Sequence, residues 1–151
     1  MTVKIDTRPW QVLRKLVDRL GARQVQVGMF DGRNAKIAAV HEFGAPSANI
    51  PERSFMRAAL AARAADLKAL QERLVSRMLN GKMKEDTALM HMGVWARDAM
   101  KNHIVENKGF ALLSPDYAKR KRRRSRGRKN KILVDTGQLL ASIVFRIVGR
   151  K

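Results

Sequence analysis

The spacing of apolar residues predicts a helix near the start of the chain and a strand close behind it. Apolar side chains recur at three- and four-residue intervals, the period of a helix with one buried face, at Trp10, Leu13, Leu16, Val17 and Leu20. Thr7 is suited to cap this N-terminal helix, Pro9 fits its first turn and Gly21 ends it. Residues 24–30 then alternate between apolar and polar side chains, which predicts a strand with one buried face.

The middle of the chain predicts two long helices. An alanine-rich segment with a single apolar stripe predicts a helix over about 54–79, which Asn80 and Gly81 end. A second run with the same period predicts a helix over about 85–105. Ahead of both, residues 35–43 predict one or two helical turns.

The C-terminal segment predicts a second strand and thereby the fold class. Residues 142–148 alternate with the period of a strand. Two strands at opposite ends of the chain, with helices between them, predict an α+β fold with a small, mostly antiparallel sheet. We expect one domain over residues 1–151. Ser114 is suited to begin a helix, but the basic residues that follow predict a mobile loop over 118–131.

The charge of the chain is strongly positive and partly concentrated in one run. The formal net charge is +19, from 32 basic and 13 acidic residues. Ten of the basic residues lie within thirteen positions, at Lys119, Arg120, Lys121, Arg122, Arg123, Arg124, Arg126, Arg128, Lys129 and Lys131. The remaining 22 basic residues still exceed the 13 acidic ones by nine. Such a field attracts nucleic acid, an acidic protein or an anionic membrane, and charge alone does not choose among them.

The basic run itself has two interpretations. Its side chains are suited to contact DNA phosphates without sequence preference, or an acidic partner protein. Residues 118–131 contain no aromatic side chain that would stack on single-stranded bases, and Tyr117 lies just outside. The alternative is a solvated loop whose charges serve no specific contact.

Residue types that perform catalysis or hold metals form no recognisable motif in this sequence. The chain has no cysteine, and His41-Glu42 fails the zinc-protease pattern because Ala45 stands where the second histidine belongs. We interpret His41, His91 and His103 as satisfied structural histidines. No phosphate-binding glycine loop or serine nucleophile elbow occurs, so we predict no catalytic residue, metal or cofactor. A nuclease-like enzyme with carboxylates assembled in space is the weakest of the open alternatives.

The N-terminal sequence and the apolar runs also bear on location. MTVKIDTRPW has no apolar core of a secretion signal, and no apolar stretch reaches the length that spans a bilayer. We therefore expect a soluble chain that is made in the cytoplasm and has no membrane partner.

Three short stretches contain the most informative residues. They are Val40-His41-Glu42-Phe43-Gly44, Ile50-Pro51-Glu52-Arg53-Ser54-Phe55-Met56-Arg57 and the segment over 133–143 that contains Asp135-Thr136-Gly137 and Leu139. We call them the first, second and third motifs. The first and third are turns built around a glycine, between a helical and an extended piece. In the third, Asp135 or Thr136 is suited to cap the short helix that follows.

Together the three motifs resemble those of the tail-completion, or head–tail joining, proteins of tailed bacteriophages, a group that includes the Mu-type virion morphogenesis proteins. Members show an "(I/V)HEFG" turn, an "IPxRxF" segment that opens a helix and an "L(I/V)DTGxLxxSI" turn. This chain matches them at His41, Glu42, Phe43 and Gly44, at Pro51, Arg53 and Phe55, and at Asp135, Thr136, Gly137 and Leu139. Ser54 stands where proline is usual, and the third motif follows the others instead of preceding them.

The resemblance implies a structural virion protein without enzymatic activity. Such a subunit would form a homo-oligomeric ring, six-fold in this family, in the neck or at the top of the tail. It would contact tail-terminator or tail-tube proteins on one side and head connector or adaptor proteins on the other, beside packaged DNA. It would assemble in the host cytoplasm and stay in the virion. The competing interpretation is a free-standing basic protein that binds nucleic acid.

Overall fold

The secondary structure consists of two strands and six helices within the part of the chain that the structure describes. The computed structural model describes residues 14, 15, 18, 22–106, 109–124, 133 and 137–149, and for Arg124 the backbone alone. In chain order the elements are β1 (Arg23–Gly28), α1 (Gly32–Phe43), a 3₁₀ turn (Pro46–Ala48), α2 (Met56–Ala62), α3 (Ala64–Leu79), α4 (Glu85–Glu106), α5 (Pro115–Arg124), α6 (Gln138–Ala141) and β2 (Val144–Gly149). The predicted α+β class is confirmed.

The sheet joins the two ends of the described chain. β1 and β2 pair antiparallel over their full lengths, from Arg23 opposite Gly149 to Gly28 opposite Val144. Both strands begin and end within two residues of the predicted bounds. The predicted N-terminal helix lies largely outside the described residues, and its start at Thr7 does so entirely. Arg14, Lys15 and Asp18 are helical, in agreement with the prediction.

The long helix α4 is the element against which most others pack. It contacts both strands as well as α2 and α3. The closest approach is at Gly93, where a side chain would have no room because the ring of Phe145 lies against the helix backbone. Glycine therefore stands mid-helix, at a cost in helix propensity, so that the sheet can approach α4 closely.

The predicted helix over 54–79 is two helices. The chain leaves helical geometry at Arg63, with φ −121° and ψ 24°, between α2 and α3. No proline or glycine marks this position in the sequence. The break lets the two segments pack at different places. Phe55 and Ala59 join the main core with Met100, Ile104 and Ile143, while α3 adds Leu74 and Met78 to a smaller cluster with Ala88.

The predicted loop over 118–131 is wrong for its first part. Helix α5 continues through the basic residues as far as Arg124, and Lys121 within it is only 4% exposed. A helix can hold this run because its charges are spread around the axis and one of them is placed against the protein. Residues 125–132 lie outside the described part. The one or two turns expected at 35–43 are also longer, since α1 is a helix of 12 residues that Asp31 caps through Asn34 N at 2.8 Å.

Candidate functional site

A buried carboxylate joins the first motif to the second. Glu42, which is 1% exposed, lies in the last turn of α1 and directs its side chain at the start of α2. Its oxygens accept hydrogen bonds from the Ser54 hydroxyl (2.7 Å) and from the backbone N–H groups of Phe55 (2.9 Å), Met56 (2.9 Å) and Arg57 (3.0 Å). The N-cap residue of α2, Phe55, has no side chain that can do this. Glu42 therefore satisfies the first free N–H groups of a helix that begins fourteen residues after it.

The negative charge of Glu42 is also compensated by the guanidinium of Arg57. Arg57 Nε donates to the Glu42 carboxylate at 3.0 Å, and Arg57 Nη2 donates to the Glu42 carbonyl and to Glu52, both at 2.9 Å. Burial raises the pKa of Glu42, but the hydrogen bonds from Met56, Arg57 and Ser54 outweigh it, so the pKa lies below its ordinary value. The side chain is thus ionised at neutral pH. A buried carboxylate with this many donors fixes the angle between α1 and α2.

The turn after Glu42 has space for glycine alone. Gly44 has φ 74°, and a Cβ there would lie 3.0 Å from Glu52 N and 3.1 Å from the Ile50 carbonyl oxygen. Ala45 and Ile50 exchange backbone hydrogen bonds across the turn, at 2.8 and 3.0 Å. The six residues from Ala45 to Ile50 therefore form a turn that reverses the chain at the end of α1. This turn brings the second motif into contact with the first.

Arg53 connects the second motif to the segment ahead of α5. Its backbone N–H donates to the His41 carbonyl at 2.7 Å. Its guanidinium, in a residue only 7% exposed, donates from Nε to the Ala111 carbonyl (2.9 Å) and from Nη2 to the Leu112 carbonyl (3.1 Å). These hydrogen bonds place a buried positive charge beside the start of α5.

The third motif reaches the same place from the far end of the chain. Gly137, at φ 80°, is the residue before α6, and Gln138 Nε2 donates to Asn34 Oδ1 in α1 at 3.1 Å. The left-handed backbone at Gly137 agrees with the role predicted for it. The predicted capping by Asp135 or Thr136 lies outside the described residues.

The three motifs surround one cavity of about 710 Å³. His41 of the first motif, Pro51 and Arg53 of the second, and Gly137 and Leu139 of the third all line it. The rest of the wall includes one face of α5, with Tyr117, Arg120 and Lys121, and aliphatic side chains on either side. Among the described residues that line the cavity there is no carboxylate. Its electrostatic character is positive.

His41 is the residue whose environment differs most from expectation. Burial lowers the pKa of its imidazole, and the nearby charges of Arg53 and Lys121 lower it further, so the ring is neutral at pH 7. Its Nδ1 atom is buried and has no hydrogen-bond partner among the described residues. Within the described residues, His41 therefore does not fit the interpretation as a satisfied structural histidine. His103 fits that interpretation better, because its ring stacks edge-on against Phe110 with centroids 5.3 Å apart.

The remaining predicted site residues divide between the interior and the surface. Phe55 and Leu133 lie in the core, whereas Phe43 is 65% exposed beneath the Arg57 guanidinium, 5.0 Å from its ring centre. Of the basic run, Arg120 and Lys121 line the cavity. The other described members are exposed on α5, at Lys119, Arg122 and Arg123. Arg126, Arg128, Lys129 and Lys131 lie outside the described part, as does the side chain of Arg124.

Two contributors to this site were not predicted from the sequence. Asn34 and Tyr117 were assigned no role, although Asn34 holds the third motif and Tyr117 lines the cavity. The spacing of Tyr117, Arg120 and Lys121 would have placed them on one helical face, had the segment been recognised as a helix.

Searches for other chemistry and for relatives return nothing further. Within the described ranges, no group of three or more histidine, aspartate or glutamate side chains is arranged to hold a metal ion. None of the described helices is long and apolar enough to cross a bilayer. Comparison of the chain with protein-family models, curated proteins and solved structures finds no significant match.

Proposed function

We propose that this chain is a structural subunit of a tailed bacteriophage, forming a ring in the neck or at the top of the tail. The ring completes the tail and joins it to the DNA-filled head. The protein performs no catalysis in this role. Its partners are further copies of itself, tail-terminator or tail-tube proteins, and head connector or adaptor proteins.

The observation that supports this proposal is the meeting of the three motifs. Each motif is short and by itself a weak indication of a family. Glu42 of the first motif binds the start of the helix that the second motif opens, and Gly137 of the third motif lines the same cavity as His41 and Arg53. Two neighbouring stretches and a third from near the other end of the chain thus form one structural unit, which is what a shared family origin would produce.

The surface of the chain is suited to assembly. Several large apolar side chains lie exposed, among them Phe43 (65%), Met90 (55%), Leu79 (48%) and Leu112 (85%). The sheet has two strands, and in the described part of the chain each strand pairs with the other alone. Within the described residues each strand therefore has an unpaired edge, to which a neighbouring subunit can add a strand. Exposed apolar residues and open sheet edges are both stabilised when they are covered in an oligomer.

A second candidate, a free-standing nucleic-acid-binding protein, is favoured by one feature. Helix α5 exposes Lys119, Arg122 and Arg123 to solvent, and these side chains are suited to bind phosphates. This candidate predicts tight DNA binding by a monomer or dimer, with an affinity that falls steeply as salt increases. The virion proposal instead predicts a ring that forms in the absence of DNA or with its protein partners.

The test is a phage that lacks the coding sequence of this chain, complemented with wild type or variants in trans. Electron microscopy should show separate heads and unfinished tails without complementation, and joined particles with the wild-type chain. Leu112→Ser should reduce joining if the exposed leucine lies in a subunit contact, while Lys82→Gln serves as an exposed control. Normal, infectious particles in the absence of the chain would disprove the proposal.

A further inference from the structure

The cavity between the three motifs has the properties of a binding site for an acidic peptide. We propose that it binds a short extended segment of a partner protein in which aspartate or glutamate alternates with large apolar residues. The inference depends on the charge, lining and position of the cavity, and it holds whether or not the chain is a virion subunit.

The positive charge of the cavity favours the binding of an anionic group from another molecule. Arg53 is nearly buried, and its described hydrogen bonds go to the neutral carbonyls of Ala111 and Leu112. Among the described residues Arg53 has no carboxylate partner, and a buried cation in that position loses much of its solvation without an equivalent Coulombic gain. The acidic side chains nearest in sequence are engaged elsewhere, since Glu42 binds the start of α2 and Glu52 binds Arg57. A carboxylate from a partner would supply the missing charge.

The apolar wall defines the rest of the ligand. Ile50, Leu113, Leu133 and Leu139 line the cavity, and Ile37 and Leu112 extend this apolar surface to solvent with 39% and 85% of their area exposed. A volume of about 710 Å³ lies within the range of sites that enclose a ligand. The amide side chain of Asn49 also lines the cavity and is suited to hydrogen-bond a peptide backbone. Alternating acidic and apolar side chains match this combination.

The same wall argues against nucleic acid as the occupant. Phosphate groups are contacted on open basic surfaces, where they remain hydrated and release counterions. Here the cations Arg53 and Lys121 are recessed, and a phosphodiester would have to pass the aliphatic side chains at the mouth. Single-stranded nucleic acid needs aromatic platforms for successive bases, and the described wall has Tyr117 and the half-buried imidazole of His41 but no other aromatic ring.

The experiment measures fluorescence anisotropy of a fluorescein-labelled octapeptide in which Glu alternates with Leu and Phe, mixed with the full-length chain. Salt is held at about 150 mM so that distant charges are screened. The control ligands are the same peptide with Gln in place of Glu, and a short oligothymidylate added as competitor. We expect the acidic peptide to bind at least about tenfold more tightly than the glutamine peptide.

Matched variants distinguish the cavity from general electrostatic attraction. Arg120→Gln and Lys119→Gln each remove one exposed charge from α5, but Arg120 lines the cavity and Lys119 does not. We expect Arg120→Gln to weaken binding about fivefold and Lys119→Gln less than about twofold. Ile37→Ser should weaken binding, whereas Val75→Ser, with similar exposure on α3, should not.

Several results would overturn the proposal. They are an absence of binding by the acidic peptide, equal binding by the glutamine peptide, equal effects of Arg120→Gln and Lys119→Gln, or efficient competition by oligothymidylate. The last would identify a nucleic-acid site in place of a peptide site. None of these results depends on the outcome of the particle-assembly experiment.

Discussion

The contact between Gly93 and Phe145 yields the sharpest prediction, because replacing Gly93 by alanine has two opposite effects on stability. Helix propensity favours alanine, whereas packing against the Phe145 ring disfavours it. Glycine inside a helix costs roughly 1 kcal/mol relative to alanine, so Gly93→Ala at an open position would stabilise the protein. In this structure an alanine Cβ would lie 2.6 Å from Phe145 Cγ and closer still to two other ring carbons. Such an overlap cannot be accommodated without moving the ring.

The size of the effect follows from the two contributions. Phe145 stands on β2 opposite Val27, so its ring cannot shift away without disturbing the face of the sheet that packs on α4. Overpacking of this kind costs about 1–3 kcal/mol, and the severe overlap places it at the upper end. After the gain in helix propensity, we expect Gly93→Ala to lower the free energy of unfolding by about 1–2 kcal/mol.

The assay is urea unfolding followed by circular dichroism, with Gly32→Ala as the control. Gly32 begins α1 and has nothing within 4 Å of an added Cβ, so its replacement should leave stability unchanged or slightly raised. Replacing Phe145 by Leu shortens the side chain that would collide, and Gly93→Ala should cost less in that background. The reasoning is refuted if Gly93→Ala is as stable as wild type, or if its cost is the same with Leu at 145.

Three further predictions concern the residues around the cavity. Glu42→Gln removes the charge and puts an NH2 donor in place of one of the two acceptor oxygens, so at least one of three backbone N–H groups loses its acceptor. We expect a cost of about 2–4 kcal/mol in urea unfolding. Because the folded pKa of Glu42 lies below the unfolded value, its contribution is present above the unfolded pKa and is lost as pH falls towards the folded one. The urea midpoint of Glu42→Gln should thus fall less than that of wild type between about pH 6 and 3, the range in which carboxyl groups usually titrate. Parallel plots of midpoint against pH for the two proteins would contradict this. Gly44→Ala should be more damaging than Gly81→Ala, since both sites have positive φ but an added Cβ is crowded only at Gly44; equal losses in thermal melts would disprove it. NMR titration should show the pKa of His41 below its ordinary value and raised by Lys121→Gln, and an unchanged pKa in the variant would show that the two side chains do not interact as inferred.

The strands and the long helix α4 were predictable because their patterns are local. The alternation over 24–30 and 142–148 and the helical period over 85–105 each arise from burial of one face, and sequence records this directly. The interruption at Arg63 could not be predicted, since it depends on which of two clusters each segment joins, and no glycine or proline marks it. The start of helix α5 at Ser114 was predicted, but its continuation through the basic run was not, because the burial of Lys121 against the protein is a tertiary feature that a local pattern does not record.

The candidate site was predictable in its residues but not in its geometry. The motifs identified His41, Glu42, Arg53 and Gly137 as important, and the structure brings them together. The sequence could not show that Glu42 accepts hydrogen bonds from the first N–H groups of α2, because capping rules consider only residues adjacent to the helix. The cavity is likewise a property of the assembled elements, since α5 and the third motif close it from parts of the chain remote from α1.

The break at Arg63 also has a consequence for how the protein opens. Helix α3 contributes to the small cluster of Leu74, Met78 and Ala88, while α2 belongs to the main core through Phe55 and Ala59. Because the buried side chains of α2 and α3 belong to different clusters, we expect α3 to separate from α4 more easily than the main core opens. Amide hydrogens of α3 would then exchange with solvent through a local opening far less costly than global unfolding. On this expectation, α3 can change its position relative to α4 while the site formed by the three motifs stays folded.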